Sequence, residues 1–225
     1  MAALVNEPVA FGTGSDLAAT MIQFHRHDLP AEASFGEAAA IDTETLGLAV
    51  GRDRLCVVQI SRGDGTADIV QIAPGQKSAP NLERLLADRG IVKLFHYGRF
   101  DMGVLHHAFG VMAAPVYCTK IASKIARTYT DRHGLKDLTR ELLGVEISKQ
   151  QQSSDWGADS LSEAQLAYAA SDVLHLHALR ERLDAMLKRE GREELARAAF
   201  AYLPDRVRLD LAGFAAMDVF SHDYP

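Results

Sequence analysis

The stretch Ala38-Ala-Ala-Ile-Asp-Thr-Glu-Thr45 decides the fold, because an apolar run leads directly into two carboxylates. The apolar run predicts a buried β-strand. On an extended strand, side chains two residues apart project from the same face, so Asp42 and Glu44 should point in the same direction. The pattern predicts a strand that carries a pair of acids out of the core and into a cleft.

Three further side chains extend this acidic pair. Asp101 closes Arg99-Phe-Asp101, and Tyr168-Ala-Ala-Ser-Asp172 places a phenol and a carboxylate four residues apart in a helical stretch, one turn above each other. Four carboxylates brought together would repel and stay partly protonated unless hard cations neutralise them. Two such ions serve in-line displacement at a phosphodiester. We therefore predict two Mg²⁺ or Mn²⁺ ions per site, bound by Asp42, Glu44, Asp101 and Asp172.

Tyr168 and Glu44 are the predicted catalytic side chains of this centre. A hydroxyl one helical turn before Asp172 can orient the attacking water or take its proton. The alternative is that Tyr168 is a core aromatic and Asp172 a solvated helix residue, and a lone Asp-x-Glu pair is more often a solvated strand face. The three motifs together, in a suitable order and secondary structure, favour the catalytic interpretation.

The composition is typical of one globular domain with a small appendage. The 225 residues can bury a sizeable core, and 30 acidic against 24 basic residues give a formal charge of -6. Bulk charge therefore does not favour a long polyanion, so a nucleic-acid substrate would need metal ions or local basic groups. With only Cys56 and Cys118, no secretory signal and no membrane-length apolar run, we expect a cytoplasmic protein.

Local patterns divide the chain into three parts. We expect residues 1–20 to form a flexible extension, residues 21–190 the main domain, and residues 191–225 a helical and aromatic tail that docks on the core or a neighbouring subunit. Strand patterns occur at 21–24, 39–44, 55–60, 67–72 and 91–95. Helical spacing occurs at about 80–86, 100–109, 119–129, 135–143 and 162–190. This order predicts an α/β fold with a mixed sheet flanked by helices.

The order Asp-x-Glu, Phe-Asp and Tyr-x-x-x-Asp resembles the DEDDy branch of the DnaQ-like 3'-5' exonucleases, from about residue 21 onward. The resemblance implies a ribonuclease H-like fold with a mixed five-stranded sheet flanked by helices. It also implies metal-ligand roles for the four carboxylates and a water-positioning role for Tyr168. One departure lies in His96-Tyr-Gly-Arg-Phe-Asp101, where many members carry an asparagine and this chain has Tyr97 and Gly98. The substrate contact of that asparagine is therefore left open.

Longer motifs resemble particular groups within this branch. Lys149-Gln-Gln-Gln-Ser-Ser-Asp-Trp156 is similar to a ribonuclease D signature, and Asp42-Thr-Glu-Thr-Leu-Gly-Leu48 is similar to the nano-RNase C family. The resemblance implies a metal-dependent 3'-5' exoribonuclease that hydrolyses short RNA, preferably dinucleotides, to nucleoside 5'-monophosphates, assembled as a homo-octameric ring. The alternatives are a broader ribonuclease D-like exonuclease acting on longer RNA or single-stranded DNA, and a catalytically inactive nucleic-acid-binding module.

The resemblance also implies substrate contacts for Thr45, Leu48, Lys149, Gln152 and Ser153. Leu48 stands where a leucine wedges between the last two bases, a contact that reads no sequence. The alternative is a core leucine at a strand end.

Two other features have open interpretations. Six basic residues between positions 120 and 140, roughly on one helix face, could bind phosphate, or could form a solvated face or a subunit contact. They are Lys120, Lys124, Arg127, Arg132, Lys136 and Arg140. Trp156 could stack on a base, but packing beneath the polar loop is favoured.

Overall fold

A mixed β-sheet forms the centre of the computed structural model, which describes residues 9–11, 20–148 and 150–222. The strands are β1 (Val9–Phe11), β2 (Thr20–Arg26), β3 (Ala38–Thr45), β4 (Leu55–Ser61), β5 (Thr66–Gln71), β6 (Val92–Phe95) and β7 (Val116–Cys118). Their order across the sheet is β1-β2-β5-β4-β3-β6-β7. Strand β4 is antiparallel to β3 and β5, whereas β6 and β7 run parallel to β3. The long strand β3 therefore lies near the middle of the sheet.

Helices cover both faces of this sheet. They are α1 (Pro80–Ala87), α2 (Arg99–Phe109), α3 (Thr119–Ala126), α4 (Leu135–Leu138), α5 (Glu163–Leu174), α6 (Leu176–Arg189) and α7 (Glu193–Leu209). Two π-helical turns, Thr139–Leu143 and Asp210–Phe214, continue α4 and α7. Alternate side chains of β3 enter two hydrophobic cores: Ile41 packs with α1 and α2, and Ala40 packs with α3, α5 and α6.

The predicted fold class is confirmed, but the described part of the sheet has seven strands rather than five. The five strand patterns correspond to β2 through β6. Strand β7 is only three residues long, which is too short to show a period of two. Strand β1 falls inside the expected extension at residues 1–20, where it pairs antiparallel with β2. Residues 1–8 and 12–19 of that extension lie outside the described residues.

Two predicted helices have different bounds in the structure. The pattern at 119–129 ends as a helix at Ala126, and the buried side chain of the next residue, Arg127, donates hydrogen bonds to Ser123 and to the carbonyl of Arg132. The pattern at 162–190 is divided at His175 into α5 and α6. The chain therefore turns twice where sequence periodicity alone predicted continuous helix.

The C-terminal tail begins with α7, which buries Ala196, Leu203 and Val207 against the core. Beyond α7, several large apolar side chains are exposed. They are Leu211, Phe214, Met217, Val219 and Phe220. Among the described residues, no helix combines the length and the apolar character needed to cross a bilayer.

Candidate active site

Side chains from both layers of the fold meet at the end of β3. Because strand side chains alternate, Asp42 and Glu44 share the face covered by α5, while Thr43 points to the opposite face. There the Oγ1 atom of Thr43 donates a 2.7 Å hydrogen bond to Oδ1 of Asp101. Asp101 lies in the first turn of α2 and is buried. Asp42, Thr43 and Glu44 thus bring acids from both faces of the sheet together at the C-terminal end of β3.

Helix α5 supplies the other two predicted residues. Ser162 and Gln165 form a reciprocal capping box, which sets the point where the helix begins. From that start, Tyr168 and Asp172 lie one turn apart and face the end of β3, and the Tyr168 hydroxyl hydrogen-bonds to Asp172. Trp156 packs against Tyr168 with ring centroids 5.9 Å apart. The position of the phenol is therefore fixed from two sides.

The acids converge in one pocket. One carboxylate oxygen from each of Asp42, Glu44 and Asp172 lies within 4.8 Å of the others. Together with Asp101 and Tyr168 they line a pocket of about 260 Å³. The rest of its wall consists of Thr43, His96, Tyr97, Phe100, Leu135, Lys136, Ile147, Ser148 and Gln152. A group of carboxylate oxygens at this spacing is the donor set that a hard divalent cation prefers, so the residues fit such an ion.

Burial and mutual repulsion raise the pKa values of these acids. Burial, followed by repulsion from the neighbouring carboxylates, raises the pKa of Asp42 well above its usual value. Burial and the charge of Asp172 raise the pKa of Glu44 to about 8. Burial raises the pKa of Asp101 to about 7, although the hydrogen bond from Thr43 opposes this shift. Without a cation, the cluster therefore retains protons at neutral pH.

Two neutral side chains border the acids. Burial and the nearby charge of Asp172 raise the pKa of Tyr168, so the phenol remains a proton donor in hydrogen bonds. Burial, with a smaller contribution from Lys120, lowers the pKa of His96 to about 3, so its imidazole is neutral. The Nδ1 atom of His96 lies 2.9 Å from Oγ1 of Thr119. These two side chains thus place neutral hydrogen-bonding groups beside the acids.

Neighbouring strands hold this arrangement in place. Gln59 of β4 is fully buried and donates from Nε2 to Oδ2 of Asp42 at 3.4 Å. The loop that precedes α5 is tied to the sheet by Arg54 and Gln71, which donate to loop carbonyls at 3.2 and 2.9 Å. Trp156 is buried beneath this loop, which confirms the packing interpretation of its sequence context.

The predicted substrate contacts fall in different places. Leu48 is 84% exposed, so its alternative interpretation as a core leucine is wrong. Gln152 lines the acidic pocket, whereas Ser153 is exposed outside that lining. Thr45 ends β3 and donates from Oγ1 to the carbonyl of Gly47, which shapes the turn that presents Leu48. Lys149 lies outside the described residues.

The predicted basic face is wrong, because the six residues belong to two helices and the loop between them. Arg127 is fully buried and bonds to Glu141, so it stabilises the loop rather than contacting a ligand. Lys136 lines the acidic pocket, and the Nζ atom of Lys120 lies 4.4 Å from the ring centroid of Tyr97. Of the six basic residues, all of which the structure describes, only Lys120 and Lys136 border the candidate site.

Sequence reasoning missed part of the pocket wall. His96, Tyr97 and Phe100 all precede Asp101 at the junction between β6 and α2. Their position in the sequence is a usable signal. They connect β6, which runs parallel to β3, to the helix that carries Asp101, so they lie at the same end of the sheet as the acids.

Comparison with known proteins agrees with this geometry. A family model described as a 3'-5' exonuclease matches residues 16–188. Ribonuclease D of Gluconacetobacter diazotrophicus is 35% identical over 199 residues, which make up 88% of this chain and 48% of that protein. The chain thus spans about half the length of the curated relatives that it matches.

Two similar solved structures match nearly the whole of both chains. Brucella melitensis NrnC with bound Mg²⁺ is 62% identical with a TM-score of 0.87, and the match covers 90% of this chain and 99% of that one. Brucella melitensis NrnC bound to pGG has the same identity and TM-score, with 90% and 98% covered.

Proposed function

This chain belongs to the DnaQ-like 3'-5' exonuclease family, and we propose that it hydrolyses short RNA from the 3' end, preferring dinucleotides and releasing nucleoside 5'-monophosphates. The observation that carries the proposal is the convergence of four acids and one tyrosine, from β3, α2 and α5, in a single pocket. A catalytically inactive binding module would have no need for this costly cluster of buried and half-buried acids. The alternative of an inactive module is therefore set aside.

The carboxylates are the proposed metal ligands. Asp42, Glu44 and Asp172 would hold one divalent cation, and Asp101 would complete the set for a second. Bound cations of this type polarise a phosphodiester and activate the attacking water. The raised pKa values support this role, because the folded chain leaves the acids close together and a cation would relieve their repulsion.

The chain's own side chains would position the reacting groups. Tyr168 stays neutral at physiological pH, and its hydroxyl would orient the attacking water toward phosphorus. Thr43 would hold the Asp101 carboxylate in its ligand geometry. Lys136 and Gln152, on the pocket wall, would contact the phosphate oxygens. None of these groups forms a covalent bond to the substrate in this proposal.

The size of the pocket supports a short substrate. At about 260 Å³, the acidic pocket is just below the roughly 300–1,000 Å³ typical of ligand sites, so it fits about one nucleotide and its phosphate. The structure of Brucella melitensis NrnC bound to pGG shows a two-nucleotide ligand on a similar chain.

End-labelled RNA of increasing length tests the proposal. We expect Mg²⁺-dependent release of nucleoside 5'-monophosphates, with a dinucleotide cleaved at least about tenfold faster than a twenty-nucleotide RNA, and no cleavage in EDTA. Equal rates on the two lengths would favour the broader exonuclease instead. Absence of cleavage on every length in Mg²⁺ and Mn²⁺ would refute the enzymatic assignment.

We also propose that the chain self-associates in the cytoplasm. The exposed apolar side chains after α7 support association, because monomeric proteins rarely expose such a group together. The two free, buried cysteines, Cys56 and Cys118, suit a reducing compartment. Sedimentation velocity at micromolar concentration should show an oligomer, and Phe214→Asp should shift it to smaller species. A parent protein that sediments as a monomer would contradict this part.

A further inference from the structure

Tyr97 is held in an unusual position at the mouth of the acidic pocket. Its side chain is half exposed, and its backbone φ of 70° lies in the left-handed region, which a bulky residue rarely adopts. Gly98 follows it, and a Cβ atom there would lie 2.6 Å from Cβ of Phe95, so the turn is tightly packed. Such backbone conformations persist only where the surroundings impose them, and they cluster at ligand sites. The turn therefore fixes an aromatic ring beside the acids.

A second groove of about 890 Å³ adjoins the acidic pocket. Tyr97 and Phe100 line both, so they form the partition between the two spaces. Leu48 lies on the wall of the groove. Because the acidic pocket is too small for two nucleosides, the second nucleoside of a dinucleotide whose phosphodiester meets the acids lies outside this pocket. The groove is the adjoining space that is large enough to receive the second nucleoside.

Ion pairs attach the far wall of the groove to the rest of the fold. Arg99 of α2 donates two hydrogen bonds to Asp210, and Arg206 also pairs with that carboxylate. These contacts join α2 to the π-helical turn Asp210–Phe214. The groove is therefore a formed part of the fold, bounded by two packed elements.

Lys120 orients the Tyr97 ring. Its ammonium lies 4.4 Å from the ring centroid, over one face of the ring. The Tyr97 side chain remains half exposed, so part of the ring is accessible to a planar partner, and a nucleobase is such a partner because every base has a π-face. An exposed tyrosine that is oriented in this way is suited to stacking rather than to core packing.

We infer that Tyr97 stacks on the nucleobase that occupies the adjoining groove, and thereby determines the affinity for the second nucleoside of a dinucleotide. The inference rests on the proposed function and deepens it. It assigns a role to the residue that stands where related enzymes often carry asparagine. The ring contacts the base and not the reacting atoms, so its removal should weaken binding rather than slow the chemical step.

Binding of a 5'-phosphorylated diribonucleotide, measured by calorimetry in Ca²⁺, tests the inference separately from turnover. Tyr97→Asn removes the ring with a residue that tolerates the left-handed backbone, and Tyr97→Phe keeps the ring. We expect Tyr97→Asn to weaken binding about tenfold or more and Tyr97→Phe to stay within about twofold of the parent. Tyr129→Asn is the matched control, because Tyr129 is also exposed and also lies beside a cation, Arg127, but outside both spaces. It should bind like the parent.

Two abasic dinucleotides, each lacking one base, locate the contact. The Tyr97→Asn effect should vanish on one of them, the one whose missing base would have occupied the groove, and persist on the other. An effect that persists on both, or the absence of an effect on the intact dinucleotide, would overturn the inference. Cleavage of the same dinucleotide by the parent protein in Mg²⁺ is measured separately. Failure of the proposed function would appear as absent cleavage, whereas failure of the inference would appear as unchanged affinity in Tyr97→Asn.

Discussion

Among the described residues, carboxylates lie in two regions whose surroundings differ: a buried one at Asp68 and a partly buried group in the acidic pocket. Asp68 of β5 is 1% exposed and lies between His25 and Arg62, whose nitrogens are 2.8 and 2.5 Å from its oxygens. In the acidic pocket, no cation of residues 20–148 or 150–222 forms an ion pair with Asp42 or Glu44. The first region is neutralised by folding alone. In the second region, Asp42 and Glu44 would need a bound cation to neutralise their charges. This difference distinguishes a candidate binding site from a structural ion pair.

The sharpest test of this comparison removes one carboxylate from each region. Asp42→Asn should lower dinucleotide turnover by at least about 10³-fold, because the loss of a proposed metal ligand would remove several kcal/mol of transition-state stabilisation. The metal-free variant should nevertheless be at least as resistant to urea as the parent, since one of the repelling acids is gone. Turnover in Mg²⁺ and urea unfolding in EDTA measure the two effects.

Asp68→Asn is the matched control for that experiment. It leaves the guanidinium of Arg62 and the imidazole of His25 facing a neutral amide, so the free energy of unfolding should fall by about 3–5 kcal/mol. The turnover of the folded fraction should stay close to the parent value. If instead Asp68→Asn abolished turnover and Asp42→Asn destabilised the metal-free fold, the distinction between the two regions would be lost.

Tyr168→Phe tests whether the pocket contains more than metal ligands. The substitution keeps the ring that packs on Trp156 and removes only the hydroxyl. We expect kcat to fall by about 10²-fold, the scale of a positioned proton-transfer group, while Mg²⁺ affinity changes by less than about threefold. Steady-state kinetics and calorimetric metal titration separate these effects. A variant that cleaves at the parent rate would remove the water-positioning role.

The pH dependence of the two regions should also differ. Burial and repulsion raise the pKa of Glu44 to about 8 and that of Asp101 to about 7, so the folded metal-free chain holds protons that the unfolded chain releases near pH 4. Between about pH 4 and pH 8 the folded state thus binds more protons, and its free energy of unfolding falls as pH rises.

Metal binding displaces those protons. The apparent Mg²⁺ affinity should therefore tighten with rising pH across that window, by up to about tenfold per unit for each proton released. Thermal unfolding with EDTA and with Mg²⁺, from pH 5 to pH 9, measures both trends. In Asp42→Asn the metal-free trend should weaken, whereas in Asp68→Asn it should persist. A pH-independent Mg²⁺ affinity would contradict the raised pKa values.

The smallest predicted effect concerns the link between the two layers of the fold. Thr43→Val removes the hydroxyl that donates to Asp101 and keeps the side-chain shape. Loss of one hydrogen bond to a charged group, about 1.5–3 kcal/mol, should lower kcat/KM by roughly tenfold or somewhat more. Thr43→Ser retains the hydroxyl and should stay within about threefold of the parent. Equal losses in both variants would indicate a packing effect instead.

The acids could be predicted from the sequence because each sits in a regular element whose period fixes its direction. Asp42 and Glu44 follow the two-residue period of a strand, and Tyr168 and Asp172 follow one helical turn. The order and spacing of these motifs along the chain, from which their convergence was predicted, can also be read directly from the sequence. The same logic explains why five of the seven described strands were anticipated.

Other features depend on contacts that local patterns do not encode. The bond from Thr43 to Asp101 joins residues 58 positions apart and crosses the sheet. Arg127 has the composition signal of a surface cation, yet it is buried because Glu141 and a carbonyl accept from it. The left-handed backbone of Tyr97 and the close packing around Gly98 become visible only in three dimensions.

Anomalous diffraction from crystals soaked in Mn²⁺ tests the central claim most directly. The account predicts a strong manganese peak within coordination distance, about 2.2 Å, of oxygens from Asp42, Glu44 and Asp172, and no peak beside Asp68. An acidic pocket that remains free of manganese at saturating concentration, or manganese bound only elsewhere on the chain, would contradict it.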